Sequence, residues 1–211
     1  PTGRSPVWDA LHSEWRTILR IAMLNTINAI GFYMAFVYLV TYMQTIGGLS
    51  EAAALEINTF NMAILLCMIP LSGWLSDRVG RKPLLWAGVG GMLLLSWPLF
   101  WMLHHPSVLW STAGQFGFSI LIGLFGGVIP VTMVETTPPA VRCSAVSIGY
   151  NLCVGVLGGT TPMVATWLIE RTHNDLSPAF YLMAAAAVSL VVVYQLPRVA
   201  TEPTAELDAA G

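Results

Sequence analysis

Six long apolar blocks constrain the fold of this chain more than any other feature. They cover about residues 21–44, 53–74, 84–103, 109–134, 143–169 and 179–196. Each block is close to the ~20 residues that a helix needs to cross a bilayer. Charged residues make up only 9% of the sequence, against roughly 25% in soluble domains. The sequence therefore predicts an all-α membrane protein with six transmembrane helices.

The basic residues fall mostly on one side of this predicted topology. With the amino terminus inside, a single basic residue, Arg171, lies outside. The other eight lie inside: Arg4, Arg16, Arg20, Arg78, Arg81, Lys82, Arg142 and Arg198. Because short loops rich in Lys and Arg stay in the cytoplasm, we predict that both termini are cytoplasmic.

The bilayer then divides the chain into three parts. We predict a cytoplasmic amino-terminal segment at 1–15, a transmembrane bundle at 16–198 and a disordered cytoplasmic tail at 199–211. The chain opens on Pro1 and not on methionine, so we expect it to be a portion of a longer protein. We expect a multi-pass protein of the plasma membrane, which in a bacterium is the inner membrane.

The stretch "GWLSDRVGRKP", residues 73–83, is unusually rich in charge for so apolar a chain. It joins the second and third predicted helices by a loop of about eight residues, whose sharp turn Gly73 and Gly80 permit. Asp77 has two alternative partners, a helix amino terminus or an arginine, while the basic side chains meet the anionic leaflet. An anchor of positive charge alone explains the basic residues, but it leaves Asp77 and both glycines unexplained.

This loop resembles the G-x-x-x-D-R-x-G-R-[KR] signature of the major facilitator superfamily. Six positions match: Gly73, Asp77, Arg78, Gly80, Arg81 and Lys82. A second stretch, "ETTPPAVR", is similar to the E-x-x-P-x-x-x-R loop of such transporters, with Glu135, Pro138 and Arg142 in place. Residues 149–190 further resemble the metabolite:proton symporter family, which includes carriers of proline and betaine, citrate, shikimate and α-ketoglutarate.

The resemblance implies a fold and a set of partners. The six helices correspond to helices seven to twelve, the carboxyl-terminal half of a twelve-helix fold whose substrate binds between the halves near the membrane midplane. It also implies that Asp77 is a latch that docks near a helix end of the other half. The implied partners are therefore an amino-terminal six-helix half missing from this chain, a small-molecule substrate, protons and the lipid bilayer.

The predicted spans contain almost no titratable acid or base. Apart from Glu56, near an outer end, no Asp, Glu, Lys, Arg or His lies within them. A proton symporter needs a titratable group inside the membrane. We therefore expect the proton-coupling residue to belong to the missing half.

Uncharged polar and aromatic residues are the candidates for a substrate cavity in this half. Asn25, Asn28 and Phe32 share one face of the first helix, with Tyr33 beside them. Further candidates are Gln115, Tyr150 and Asn151, and Asn58 and Asn61 repeat the same spacing on the second helix. Each amide either faces the cavity or bonds a neighbouring helix, and the sequence leaves both alternatives open.

Small and sulfur-containing residues have structural interpretations. Gly123 with Gly127, and Gly155 with Gly159, form G-x-x-x-G pairs that let helices approach closely. The three cysteines contain no C-x-x-C pair, and we predict buried, reduced packing residues: Cys67, Cys143 and Cys153.

Other kinds of site are not predicted. His104 and His105 have no third ligand nearby, so they do not indicate a metal site. No nucleophile with its base, phosphate-binding loop or basic nucleic-acid surface is present, so no enzyme, cofactor or nucleic-acid partner is predicted.

Two function classes remain. One is the carboxyl-terminal half of a proton-coupled symporter for a small organic acid or zwitterionic osmolyte. The other is a truncated, non-transporting six-helix protein or membrane interaction partner.

Overall fold

The computed structural model describes residues 15–196. The segments predicted at 1–15 and 199–211 lie outside this range, except for Trp15, which begins the first helix. Within the described range, six helices are long and apolar enough to cross a membrane. The prediction of an all-α protein with six transmembrane helices is confirmed.

The spans are numbered in chain order. They are α1 Trp15–Thr45, α2 Glu51–Val79, α3 Arg81–Leu103, α4 Val108–Glu135, α5 Arg142–Thr172 and α6 Ser177–Gln195. Their connections alternate between the two ends of the bundle. The motif end holds the α2–α3 and α4–α5 connections, the start of α1 and the end of α6. The opposite end holds the other three connections.

Two helices extend beyond the apolar blocks seen in the sequence. α1 begins at Trp15 and not near residue 21, and α2 continues past Trp74 to Val79. Ser50 caps α2, because its side chain accepts a hydrogen bond from the Ala53 amide at 3.3 Å. Hydropathy marks only the part of a helix that lies in hydrocarbon, whereas the backbone ladder continues into the thicker headgroup layer.

Three spans are interrupted. α1 contains a π-helix at Met34–Tyr38, and α5 contains one at Cys153–Gly158. α4 breaks between Val108–Gly126 and Ile129–Glu135. Pro130 lies just after this break and has no N–H to donate to the preceding turn. Wide turns and breaks change which backbone carbonyls remain free to bond other helices.

The packing order places α1 at the centre. α1 contacts α4, α5 and α6, while α3 packs between α4 and α6, and α2 packs mainly against α4. In the most apolar stretch of each span, 67% of α1 is buried but only 22% of α2 and of α5. α2 and α5 therefore form the two outer flanks of the bundle.

Three aromatic rings fill the core near the opposite end. Tyr42 packs edge-on against Phe100 with centroids 5.4 Å apart, and Phe100 packs on Phe118 at 5.5 Å. All three side chains are fully buried. The Tyr42 hydroxyl donates to the backbone carbonyl of Asp175 at 3.1 Å, which satisfies its polar atom and ties α1 to the α5–α6 connection.

The outer surface carries many large apolar side chains. Leu66, Leu94 and Leu109 are each more than 70% exposed, as suits a surface that meets lipid. The prediction of buried cysteines holds only for Cys153; Cys67 and Cys143 are exposed. An apolar neighbourhood in the sequence does not separate core from lipid, because both environments select the same residues.

Candidate functional site

The α2–α3 connection is shorter than the sequence predicted. α2 runs to Val79 and α3 starts at Arg81, so Gly80 alone separates them and the predicted eight-residue loop is wrong. Gly80 has φ of 96°, a backbone conformation that residues with a Cβ rarely adopt. Gly73 lies inside α2 and makes no turn. A Cβ on Gly127 of α4 would be 3.1 Å from the Gly73 backbone nitrogen, so the α4 glycine lets the two helices approach, whereas a Cβ on Gly73 itself would meet nothing within 4 Å.

Arg81 joins the two loop motifs. Its guanidinium donates to Ser76 and Asp77 on the last turns of α2, and bidentately to Glu135 at the end of α4, at 3.0 and 3.3 Å. These four residues form the motif-end cluster. The Arg81 side chain is only 20% exposed, which strengthens its bonds to the two carboxylates. Of the two partners predicted for Asp77, the structure contains the arginine.

The other basic residues of the first motif have separate contacts. The Lys82 ammonium donates to the backbone carbonyls of Tyr194 and Leu196, at 3.0 and 2.6 Å, and so caps the end of α6. The Arg78 guanidinium lies 4.0 Å from the centre of the Trp74 ring. Contact of the basic side chains with the leaflet stays a prediction, and the structure adds that Arg81 and Lys82 hold other helices.

The second motif shapes the α4–α5 connection. Pro138 accepts a backbone hydrogen bond from Val141 at 3.2 Å, and Arg142 donates from Nε to the Thr137 carbonyl at 3.1 Å. Arg142 also begins α5. Glu135 thus binds α3 through Arg81, whereas Pro138 and Arg142 organise the turn itself.

Asn25 and Asn28 lie near the middle of α1 and bond each other. Nδ2 of Asn28 donates to Oδ1 of Asn25 at 3.0 Å, which confirms that they share a face. Asn25 is fully buried and Asn28 is half-buried. One turn further on, the Phe32 side chain is 39% exposed. Its ring lies edge-on to Tyr33, with centroids 6.0 Å apart.

Tyr33 lies toward α5. A Cβ on Gly158 would come within 2.9 Å of the Tyr33 ring, so this glycine lets α5 approach α1. Tyr33 therefore packs against α5. It is half-buried and lies on the same helix as Asn28.

Gln115 bonds neighbouring helices, which is one of the two alternatives that the sequence leaves open for each amide. It is fully buried, and its Nε2 donates to the Ala35 carbonyl in the π-helix of α1 and to Oδ1 of Asn58, at 2.8 and 2.7 Å. This one side chain connects α4 to α1 and α2. In the sequence, only the spacing from Asn61 singles out Asn58, and no local signal links it to a residue 57 positions away.

Tyr150 and Asn151 lie on the exposed part of α5. Asn151 bonds only its own helix, through Nδ2 to the Ser147 carbonyl at 2.8 Å, and the Tyr150 side chain is 37% exposed. Neither is grouped with the Asn25–Asn28 pair by any contact seen in residues 15–196. The candidate residues are thus spread over three helices, with α1 carrying the most compact set.

A cavity of about 280 Å³ at the motif end was not predicted from the sequence. It lies among α1, α4 and α6, with an apolar floor that includes Ile21, Leu24 and Val192. Its polar lining is Thr17, Arg20, Glu135, Thr136, Thr137 and Gln195. These residues come from three distant parts of the sequence, so no spacing rule connects them. Among the described residues there is no group of three His, Cys, Asp or Glu side chains that could hold a metal.

Comparison with known proteins agrees with this architecture. Residues 4–210 match the family of sugar (and other) transporters. A proline/betaine transporter of Escherichia coli is 30% identical over 189 residues, which are 90% of this chain and 38% of that protein. A putative proline/betaine transporter of Staphylococcus aureus is 31% identical over 161 residues, 76% of this chain and 34% of the relative.

A third relative has a broader printed specificity. The glycine betaine/proline/ectoine/pipecolic acid transporter of Dickeya dadantii is 30% identical over 190 residues, 90% of this chain and 38% of that protein. The chain thus spans little more than a third of the length of these relatives. The family is one of transporters and not of enzymes. With its six membrane-spanning helices and both loop motifs, the chain belongs to the sugar (and other) transporter family of the major facilitator superfamily.

Proposed function

We propose that this chain is the carboxyl-terminal half of a proton-coupled symporter for a small zwitterionic osmolyte or organic acid. The observation that carries the proposal is the half-buried Asn28 amide beside the exposed Phe32 ring, near the middle of α1. An amide N–H suits a carboxylate, and an aromatic ring suits an alkylated ammonium group. The names of the relatives, which mention proline and betaines, support this substrate class.

The flanking helices support the proposal of a missing half. α2 and α5 are the least buried spans, and their exposed aromatic residues include Phe60 and Trp167. The chain covers 38% of the Escherichia coli relative. In a two-bundle transporter the substrate lies between the bundles. We propose that the candidate residues Asn25, Asn28, Phe32, Tyr33, Gln115, Tyr150 and Asn151 belong to this half's wall or to its immediate support.

The proton site is proposed to lie in the other half. Within the described spans, acidic residues occur only toward the helix ends, as Glu51, Glu56, Asp77, Glu135 and Glu170. A carboxyl group that carries a proton through the membrane should lie near the midplane. The half-buried Asn28 amide, held by Asn25, can contact substrate but cannot load a proton.

The proposed orientation places the motif end in the cytoplasm of a bacterium, with the protein in the inner membrane. Most basic residues of the described range lie at that end, and Arg171 lies at the opposite one. Single cysteines introduced into a cysteine-free variant test this. Residues 75–82 and 135–142 should react with an impermeant maleimide only from inside, and 104–107 only from outside. The reverse pattern would contradict the orientation.

The transport test requires this chain and an amino-terminal half together. Co-expressed halves in proteoliposomes with an imposed proton gradient should take up proline, betaine, citrate, shikimate or α-ketoglutarate saturably, and this chain alone should not. Phe32→Leu should lower uptake, while Leu109→Ala on the lipid-facing surface should not. Saturable uptake by this chain alone would refute the half-transporter proposal. Failure of the pair with every substrate would favour the non-transporting alternative.

The proposed latch has a separate test. Only Oδ1 of Asp77 is bound by Arg81, and the side chain is 64% exposed, so the carboxylate can still contact another helix. Asp77→Asn keeps the size and removes the charge, so uptake by the paired halves should fall at least about tenfold, equivalent to ~1.4 kcal/mol. Membrane levels should stay unchanged. If the Asp77→Asn variant kept wild-type uptake, the motif would serve only to join α2 to α3.

A further inference from the structure

Within residues 15–196, the Gln115 side chain has one oxygen that no other group binds. Both amide hydrogens of Nε2 are donated, to the Ala35 carbonyl and to Oδ1 of Asn58. These two bonds fix the amide plane, so Oε1 cannot exchange places with Nε2. Oε1 is buried and has no hydrogen-bond partner within residues 15–196. A buried acceptor without a partner is costly, particularly within a membrane.

Two further buried oxygens lie on the same helix faces. Nδ2 of Asn61 donates to the Ile57 carbonyl at 2.9 Å, and its Oδ1 has no partner in the described part of the chain. Oγ of Ser111 is buried and equally unpartnered there. Ser111 precedes Gln115 by one turn on α4, and Asn61 follows Asn58 by one turn on α2. All three side chains that carry these oxygens are fully buried.

The register of α2 and α4 brings Asn61 level with Gln115. Gly123 packs against Met68, and Gly127 packs against Ser72 one turn further along both helices. The two helices therefore run in the same direction. Continued toward the opposite end, the same register places Asn61 at the level of the turn of α4 that contains Gln115, one turn from Asn58, which bonds Gln115 directly.

The chemistry of these groups favours a cation over a neutral molecule. Every amide hydrogen of Gln115 is used, so the side chains offer oxygen lone pairs from Gln115, Asn61 and Ser111, while Asn58 and Ala35 hold the Gln115 amide in place. A water molecule can donate only two hydrogens, whereas a cation attracts every oxygen around it. No carboxylate is among the five residues, so a single positive charge suits them better than two.

We propose that Asn61, Gln115 and Ser111, supported by Asn58 and the Ala35 carbonyl, bind one sodium ion between α1, α2 and α4. Carbonyl oxygens at interrupted transmembrane helices are known ligands for Na⁺, and Ala35 lies in the π-helix of α1. The ion ties three helices together at neutral oxygens. This site is distinct from the motif-end cluster and does not depend on the proposed substrate or on the second half.

Thermal unfolding of the purified chain in detergent tests the proposal with Na⁺ as the only probe. The melting temperature should be higher in sodium chloride than in choline chloride at equal ionic strength. At ten times the dissociation constant the expected rise is about 3–6 °C. Equal melting temperatures in the two salts would show that water alone serves these oxygens and would overturn the proposal.

Variants separate the site from general salt effects. Asn61→Leu, close in size to Asn, should keep or raise the melting temperature in choline, because it removes an unpartnered oxygen, and should abolish the sodium-dependent rise. Ser111→Ala should reduce that rise and serves if Asn61→Leu does not fold. Thr59→Val is the control, because Thr59 lies on the same helix, is exposed and bonds only the Leu55 carbonyl. A full sodium response in Asn61→Leu would refute the site.

Discussion

Helices α4 and α5 carry the same glycine spacing but use it differently. A Cβ on Gly127 of α4 would overlap the Ile69 carbonyl oxygen and the Ser72 hydroxyl, so α2 and α4 meet there backbone to backbone. Gly155 and Gly159 of α5 have nothing within 4 Å of the equivalent position. The prediction of close helix approach is confirmed for α4 and is wrong for α5 within this chain.

The amide and charged side chains of the two helices show the same difference, although Cys153 of α5 does bond the Ala22 carbonyl of α1. On α4, Gln115 bonds two other helices and Glu135 pairs with Arg81. On α5, Asn151 bonds only its own helix, and Arg142 bonds the adjoining turn. The most apolar stretch of α4 is 56% buried, against 22% for α5. α4 is thus held on several sides, and α5 presents glycines and amides that this chain leaves uncovered.

The largest expected effect is at the glycines. Gly127→Leu should destabilise the chain by about 3 kcal/mol, because α2 and α4 cannot separate without losing their packing. Gly155→Leu is the matched control and should change stability by less than about 1 kcal/mol, since its site is open. Unfolding in a denaturing detergent, followed by tryptophan fluorescence, measures both. Equal losses would contradict the difference between the helices.

The next largest difference in stability is expected between variants of the arginines that begin α3 and α5. Arg81→Met breaks the motif-end cluster and leaves Glu135 without its bidentate partner, at a cost of about 1.5 kcal/mol because the cluster is only partly buried. Arg142→Met loses one bond to a carbonyl and should cost about 0.5 kcal/mol. The same unfolding titration ranks the two variants. A larger loss for Arg142→Met would mean that the α4–α5 turn, and not the cluster, holds the motif end.

One amide on each helix tests the comparison of α4 with α5 inside the membrane. Gln115→Leu should cost about 1 kcal/mol in sodium-free buffer, because two interhelical hydrogen bonds are lost while an unpartnered oxygen is removed with them. Asn151→Leu should leave stability within about 0.5 kcal/mol. When paired with an amino-terminal half, Asn151→Leu should reduce uptake if α5 faces the substrate. A strong loss of stability for Asn151→Leu in the isolated chain would show that α5 has a partner here.

The smallest expected effect is a change in the labelling rate of a cysteine on α5, which reports whether a second half covers this helix. Gly155→Cys in a cysteine-free variant should react with a membrane-permeant maleimide in the isolated chain, because the site is open. Reaction should slow when an amino-terminal half is co-expressed, whereas Leu109→Cys at the lipid-facing end of α4 should react equally in both cases. Equal reaction of Gly155→Cys with and without the second half would place that half elsewhere.

Local patterns predicted the features that depend on neighbours in sequence. Block length predicted the six spans, and helical spacing predicted that Asn25 and Asn28 share a face, where their side chains bond at 3.0 Å. The motif spacing correctly singled out Arg81 and Glu135 as separate signals. Their pairing was not predictable, because they lie 54 positions apart and only the packing of α3 beside α4 brings them together.

Residue type alone could not assign the amides or the glycines. Gln115 and Asn151 read alike in the sequence, yet one bonds two helices and the other bonds its own. Apolar surroundings do not resolve such cases, since the helix core and the lipid accept the same side chains. The Asn58–Gln115 contact depends on the relative register of α2 and α4, which no local rule specifies.

The sequence by itself determined that this chain crosses a membrane six times, where its charged motifs lie and to which superfamily it belongs. The spans and the charged ends follow from the free energy of placing apolar and charged groups in hydrocarbon, which acts on each segment separately. The superfamily follows instead from the residues of the two loop motifs, and the family match over residues 4–210 agrees with it. Only the tertiary structure decided that Gly80 alone joins α2 to α3, that Arg81 holds Glu135, and that α4 is enclosed while α5 is open. Those outcomes depend on side chains meeting across helices, and such contacts exist only after the helices have packed.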